Sequence, residues 1–136
     1  MRKLWLGALA LQALAILVIL VLAYVGHLPI FWHDWPGFDL LGHAALFGSL
    51  ALFADRALRR RTVKGLRAGP ALVLLLVAAE ESLQALSPHR TASPLDLLAD
   101  VVGVVLLCWL ADTVRLNQRL GATISKRRDE NPGGSE

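Results

Sequence analysis

One apolar run near the beginning of the chain limits what this sequence can fold into. The run from Leu4 to Val25 contains a single strongly polar side chain, Gln12. A helix needs about 20 consecutive, mostly apolar residues to cross the hydrocarbon core of a bilayer, so the run predicts a membrane-spanning helix. Arg2 and Lys3 precede it as in a signal peptide, but the run is longer than a signal-peptide core and no clear cleavage motif follows it. We therefore expect a retained anchor.

The rest of the chain favours a membrane domain over a soluble one. Its 136 residues are 55% hydrophobic and only 18% charged, which is more apolar than most soluble domains. We predict an all-α protein, a four-helix transmembrane bundle over residues 1–112. The predicted helices cover residues 4–25, 40–58, 66–86 and 95–112. Residues 113–136 are polar and basic, and predict a disordered cytoplasmic tail.

The basic residues predict the orientation of the bundle. The first loop has no Lys or Arg, the second carries six between Arg56 and Arg67, and the third has only Arg90. With both termini in the cytoplasm, every Lys and Arg except Arg90 lies on the cytoplasmic side, as the positive-inside rule requires. The same rule explains the charge of the second loop. We do not expect nucleic acid as a partner, because no nucleic-acid-binding motif accompanies the basic residues. We expect this loop to contact anionic lipid headgroups instead.

This topology gathers the polar residues of the helices at the outer end of the bundle. They are Asp39 and His43 in the second helix, Glu80, Glu81 and Gln84 in the third, and Asp96 and Asp100 in the fourth. The pairs that open the second and fourth helices are each spaced i, i+4, so the members of a pair share a helix face. Glu80 and Glu81 point about 100° apart and cannot face one partner equally well. Ionisable residues within a membrane are candidates for function.

Small residues lie one turn deeper in the same two helices. Ala44 with Gly48, and Ala99 with Gly103, have the small-xxx-small spacing that lets membrane helices approach closely. We expect the second and fourth helices to meet there, beneath the polar residues.

Each polar residue also has a structural interpretation. The stretch Ser93-Pro94-Leu95-Asp96 fits a helix N-cap, a proline at the first helical position and an acidic third position. Asp39 fits a cap of the second helix in the same way. A buried histidine at His43, and hydrogen bonds between helices from Glu81 and Gln84, are further alternatives that the sequence leaves open.

The order of these motifs resembles the VanZ-like family of small bacterial membrane proteins, over about residues 39–107. The matching positions are Asp39-Leu40-Leu41-Gly42-His43 with Phe47, Glu81-Ser82-Leu83-Gln84, Arg90 and Asp96. The chain departs from the family pattern at Asp100 (Asn in the family), Leu107 (Gly) and Leu40 (frequently basic). The resemblance implies a multi-pass protein of the bacterial cytoplasmic membrane, similar to a determinant of low-level teicoplanin resistance, and it implies no reaction. The functional cluster that it implies comprises Asp39, His43, Glu81, Gln84, Arg90, Asp96 and Asp100.

Three functions are compatible with that cluster. In the first, which we favour, an envelope-associated binding or accessory protein recognises a membrane lipid or a lipid-linked envelope precursor through Arg90 and His43. In the second, a membrane enzyme uses His43 or Glu81 as a general base. Asp96 or Asp100 would orient that base. In the third, the cluster only locks the helices together. We assign no catalytic residue, cofactor or metal, because a metal held by His43 and the cluster carboxylates is chemically possible but not specified by spacing.

Overall fold

Four helices and one short hairpin make up the described part of the protein. The computed structural model describes residues 1–27, 37–84 and 93–130. In chain order the elements are helix α1, Arg2–Tyr24; helix α2, Phe38–Ala57; strand β1, Thr62–Val63; strand β2, Leu66–Arg67; helix α3, Ala68–Gln84; and helix α4, Pro94–Glu130. The predicted all-α class, with four helices, is confirmed for these residues.

Three of the helices are long and apolar enough to cross a membrane, namely α1, α2 and the part of α4 from Pro94 to Arg127. The outward side of α1 agrees with this, since Leu4 and Leu11 are 75% and 70% exposed. Apolar side chains that nothing in the described chain covers are stable in hydrocarbon and costly in water. The protein is therefore a membrane protein. The described part of helix α3 has 17 residues, the short end of spanning length, so a fourth span and the sidedness of the termini stay predictions.

Helix α2 lies at the centre of the packing and contacts α1, α3 and α4. Its residue Ala51 is fully buried and lies beside the buried Phe47 and Leu50 in the core cluster. Val77 of α3 and Val104 of α4 complete the middle of that core. A helix that packs against three others needs small side chains at the contacts, and α2 has them there.

A backbone-to-backbone contact joins α2 to α4. A Cβ on Gly48 would come within 2.6 Å of the carbonyl oxygen of Gly103, and a Cβ on Gly103 would overlap the backbone of Ala44. Only glycine fits at either position, so the close approach predicted from the small residues is confirmed there. Ala44 follows His43 directly, and Gly103 is one turn from Asp100, so this contact brings their side chains together.

The polar side chain within the apolar run of α1, Gln12, joins that helix to α2. Gln12 Nε2 donates hydrogen bonds to the carbonyl oxygen of Leu46 at 3.1 Å and to Ser49 Oγ at 2.9 Å. A polar side chain in hydrocarbon needs a partner. The single interruption of the apolar run is thus a contact between helices.

The basic loop after α2 folds into a hairpin, whereas the sequence predicts the third helix from residue 66. Thr62 pairs with Arg67 and Val63 with Leu66. Between them Lys64 and Gly65 have φ of 51° and 82°, the two left-handed residues that a type I′ turn requires. Because Leu66 and Arg67 pair with β1, α3 begins two residues later, at Ala68.

Helix α4 extends well past the predicted boundary at residue 112. It continues to Glu130, through residues for which the sequence predicts a disordered tail. Polarity argues against burial but does not break a helix, and no proline occurs between Pro94 and Pro132. An i, i+4 ion pair between Lys126 and Glu130, at 3.7 Å, supports the last turn.

Candidate functional site

His43 of α2 meets Asp100 of α4 at the level of the glycine contact. Its Nδ1 lies 3.1 and 3.2 Å from the two carboxylate oxygens of Asp100. The Asp100 residue is 1% exposed and the His43 side chain 11%. An ionised carboxylate only accepts hydrogen bonds, so Nδ1 carries the proton and donates it. The other ring nitrogen, Nε2, is thereby left to accept a proton or to bind a ligand.

Two further carboxylates lie next to this pair. Metal-ligating atoms of Asp39, His43 and Asp96 all lie within 4.8 Å of one another. Asp39 is exposed and Asp96 is buried, so the group is open to its surroundings on the Asp39 side. We call these three residues together with Asp100 the His43 cluster.

The helix ends help the His43 cluster to hold three acidic groups. Asp39 lies in the first turn of α2 and Asp96 in the first turn of α4. The N-terminus of a helix stabilises a nearby negative charge by about 0.3–1 kcal/mol. The predicted capping arrangement is also present, because the backbone N–H of Asp96 lies 3.4 Å from Ser93 Oγ. Ser93 is therefore the cap, and the carboxylate of Asp96 takes part in the cluster.

Charge determines what the His43 cluster attracts. Its described members are three carboxyl groups and one imidazole, so acidic groups outnumber basic ones. A negative, partly buried site concentrates cations and repels phosphate and carboxylate groups. The arrangement suits a metal cation or an amine.

In α3, the buried acid is Glu80, whereas the predicted site residue is Glu81. Gln84 Nε2 donates to Glu80 and lies 2.6 Å from each of its carboxylate oxygens. Glu81 is half-buried. The buried face of α3 comprises Gly69, Val73, Val77, Glu80 and Gln84. Glu81 points about 100° away from the neighbouring Glu80. The hydrogen bond of Gln84 thus lies within α3, where the sequence allowed one between helices.

The structure thus brings together four of the seven predicted site residues, the members of the His43 cluster. Gln84 pairs with Glu80, and Glu81 is half-buried. Arg90 lies outside the described residues, so its predicted contact with a phosphate or carboxylate stays a prediction.

A second polar group lies at the C-terminal end of α2 and near the middle of α4, away from the His43 cluster, and the sequence did not reveal it. Arg67 Nε donates to Asp55 Oδ1 at 3.1 Å, and its Nη2 bonds Asp55 Oδ2. Arg67 Nη1 donates to Asp112 Oδ2 at 2.7 Å, and Arg60 Nη2 lies 2.6 Å from Asp112 Oδ1. We call these four residues the Asp55 network. Asp55 is fully buried.

The Asp55 network changes the interpretation of the basic loop. Burial lowers the pKa of Arg67, but the hydrogen bond and charge of Asp55, with those of Asp112, outweigh burial and raise the pKa above its ordinary value. The guanidinium therefore stays charged at every physiological pH. Arg60 and Arg67 bind carboxylates inside the protein, whereas the sequence assigned the whole loop to topology and lipid. A lone aspartate in the apolar stretch ALFADRA was the available signal, because a buried charge needs a partner.

Comparisons with known proteins give no relative, since no protein-family model, no curated protein and no solved structure matches the chain. The resemblance to the VanZ-like family therefore stays a prediction from the motifs.

Proposed function

We propose that this membrane protein is an envelope-associated binding or accessory protein whose ligand site is the His43 cluster, and that the site takes a divalent metal ion. The observation that carries the proposal is the convergence of Asp39, His43 and Asp96, whose ligand atoms lie within 4.8 Å of one another. Asp39 is exposed, which leaves a route for a ligand.

The second support is the carboxylate behind the histidine. Metal-binding histidines usually donate their other ring N–H to a carboxylate, which orients the ring and strengthens the ligand nitrogen. Asp100 accepts from His43 Nδ1 at 3.1 Å, so Nε2 would face the ion. Imidazole and carboxylate oxygens together suit Zn²⁺ and neighbouring divalent ions.

A bound divalent ion would also allow the acidic site to bind an anionic headgroup. The three carboxylates of the described cluster repel phosphate, but a metal ion can be the largest local charge and reverse that effect. The positive-inside rule puts the His43 cluster at the outer surface, where lipid-linked envelope precursors carry phosphate. In this proposal the ion is the contact between protein and headgroup.

The test is metal binding by the full chain in detergent micelles after chelation, measured by calorimetric titration with Zn²⁺, Mg²⁺ and Ca²⁺. We expect one Zn²⁺ site, and we expect Asp39→Asn and Asp96→Asn to weaken it at least as much as the roughly 10- to 100-fold that loss of an outer-shell partner costs. Glu81→Gln is the matched control, because it removes a carboxylate from α3 and leaves the cluster intact. The proposal fails if no divalent ion binds, or if Asp39→Asn binds Zn²⁺ like the wild type.

The envelope role has its own test. Bacteria expressing the wild type and Asp39→Asn at equal membrane abundance are compared for susceptibility to teicoplanin. We expect the wild type alone to lower susceptibility. Equal susceptibility of the two strains would show that the ion site has no role in teicoplanin resistance.

The His43 and Asp100 pair also favours a second candidate, a membrane enzyme that acts on a lipid-linked substrate. A histidine whose Nδ1–H is held by a buried carboxylate has its Nε2 free to act as a general base. Turnover of a labelled lipid phosphate by the purified protein, lost in His43→Gln, would select the enzyme. Saturable binding without turnover would select the binding protein.

A further inference from the structure

A cleft rimmed by arginine side chains lies between the start of α1, the end of α2 and the middle of α4, away from the His43 cluster. Its volume is about 700 Å³, within the range of small-ligand sites. Five arginines line it, contributed by α1, α2, the turn after α2, and α4: Arg2, Arg56, Arg59, Arg60 and Arg115. The cleft is independent of the proposed function, since it shares no residue with the His43 cluster.

The positive charge of this arginine cleft is only partly neutralised. Arg60 lies 2.6 Å from Asp112, and Arg56 lies 3.8 Å from the same carboxylate. Among the described residues, Arg2, Arg59 and Arg115 form no ion pair with a carboxylate. Like charges held around one cavity repel each other unless an anion enters. The cleft therefore has an excess of positively charged side chains.

The backbone at the end of α2 holds two of these arginines in an uncommon conformation. Arg59 and Arg60 have φ of 55° and 58°, in the left-handed region that is unfavourable for a non-glycine residue. Both side chains line the same cleft. The consecutive left-handed residues turn the chain back over the end of α2 and deliver two guanidinium groups to one space.

Apolar side chains form the remaining wall of the arginine cleft. Trp5, Leu52 and Val114 line it, and Trp5 packs on Phe53 with ring centroids 6.1 Å apart. All three helices that contribute to the cleft have the length and composition to span a membrane. A cavity with an arginine rim and an apolar wall on such helices matches a phospholipid, with a phosphate headgroup above and the first carbons of its chains below.

We propose that the arginine cleft is a binding site for the phosphate headgroup of an anionic phospholipid. Arg2, Arg59 and Arg115 contact the phosphate, and Arg56 and Arg60 are held by Asp112 at its edge. Guanidinium groups bind phosphate oxygens in pairs with fixed geometry. The sequence predicts only a general attraction of the basic loop to lipid. The proposal is narrower, because it assigns the lipid to one site formed by residues of the loop together with residues of α1 and α4.

The test measures how many lipid molecules the full chain retains in native mass spectrometry, with phosphatidylglycerol or phosphatidylcholine added to the detergent. We expect one tightly retained phosphatidylglycerol and no tightly retained phosphatidylcholine. Each basic residue near a membrane surface strengthens anionic binding about fivefold, so Arg59→Gln with Arg115→Gln weakens retention by roughly 25-fold. Arg61→Gln is the matched control, because this exposed neighbour in the same loop does not line the cleft.

Inorganic phosphate and circular dichroism complete the experiment. Millimolar inorganic phosphate is expected to leave the retained lipid in place, and displacement would assign the cleft to free phosphate and overturn the lipid proposal. Equal loss in Arg61→Gln and in the double variant would show diffuse attraction by the loop and also overturn it. Unchanged retention in the double variant would overturn it directly. The helix signal in circular dichroism confirms that each variant folds, and the single variant Arg2→Gln replaces any variant that does not.

Discussion

Replacing Gly103 by alanine tests the contact on which the His43 cluster depends. A Cβ at this position would overlap the backbone of Ala44, and a backbone cannot rotate aside as a side chain can. Helix α4 has to move away from α2, and the pair of His43 and Asp100 lies next to the contact. We expect both the packing of the two helices and the hydrogen bond at 3.1 Å to be lost.

The magnitude follows from two opposing effects. Alanine in place of glycine favours a helix by about 1 kcal/mol, whereas overpacking a tight contact costs about 1–3 kcal/mol and more where the backbone must shift. Gly121 is the matched control, because it lies in the same helix with no atom within 4 Å of its Cβ position. Gly121→Ala is therefore expected to stabilise the protein slightly. Gly103→Ala is expected to destabilise it by up to about 2 kcal/mol net, and by more where the backbone has to shift.

The assay is thermal unfolding of both variants in the same detergent, followed by titration with Zn²⁺. We expect a lower unfolding temperature for Gly103→Ala than for the wild type, and a higher or equal one for Gly121→Ala. We also expect weaker Zn²⁺ binding in Gly103→Ala alone. If both variants were equally stable and bound Zn²⁺ alike, α2 and α4 would not touch at Gly103 and the geometry of the His43 cluster would be wrong.

Two further substitutions test the contacts that hold the remaining elements. Among the described residues, Arg67→Gln leaves the buried Asp55 with one distant cationic partner, Arg60 at 4.0 Å. It is expected to destabilise the protein by about 3–5 kcal/mol in chemical unfolding, whereas Arg61→Gln, at an exposed position, changes stability by less than about 0.5 kcal/mol. Similar losses in both variants would contradict the Asp55 network. Gln12→Leu removes two hydrogen bonds from α1 to α2. At about 0.6 kcal/mol for each bond between membrane helices, it is expected to cost about 1.2 kcal/mol in the same unfolding assay; a stabilised Gln12→Leu would show that the bonds contribute nothing.

Much of the helical organisation follows from local chemistry. The apolar run from Leu4 to Val25 forms α1, and all four predicted helix starts lie within two residues of the observed ones, as do the predicted ends of the first two helices. The predicted end of the third helix, at residue 86, lies outside the described residues. The offset at the start of α3 and the extension of α4 have identifiable reasons. Pairing of Leu66 and Arg67 with β1 delays α3, and the absence of a helix breaker before Pro132 lets α4 continue.

The third helix shows where periodicity alone becomes ambiguous. Between Ala71 and Ala79 every side chain is apolar, so the sequence does not indicate which face of the helix is buried. Glu80 and Glu81 are therefore equally good candidates for the buried acid. The close contact of Gly69 with the backbone of Asp55 selects the buried face. That face contains Val73, Val77 and Glu80 at helical spacing, so the rotation of α3 is a property of its packing on α2.

The sequence by itself determined that the chain is a membrane protein of long apolar helices, because about twenty consecutive, mostly apolar residues have few alternatives. It also determined that Asp39 and His43 share a helix face, since that depends only on the helical repeat. Distances between helices depend on residues far apart in the chain, and these only the tertiary structure decided. The glycine contact puts His43 within hydrogen-bond distance of Asp100, and the turn after α2 directs Arg67 to Asp55, because a buried charge is stable only beside its partner.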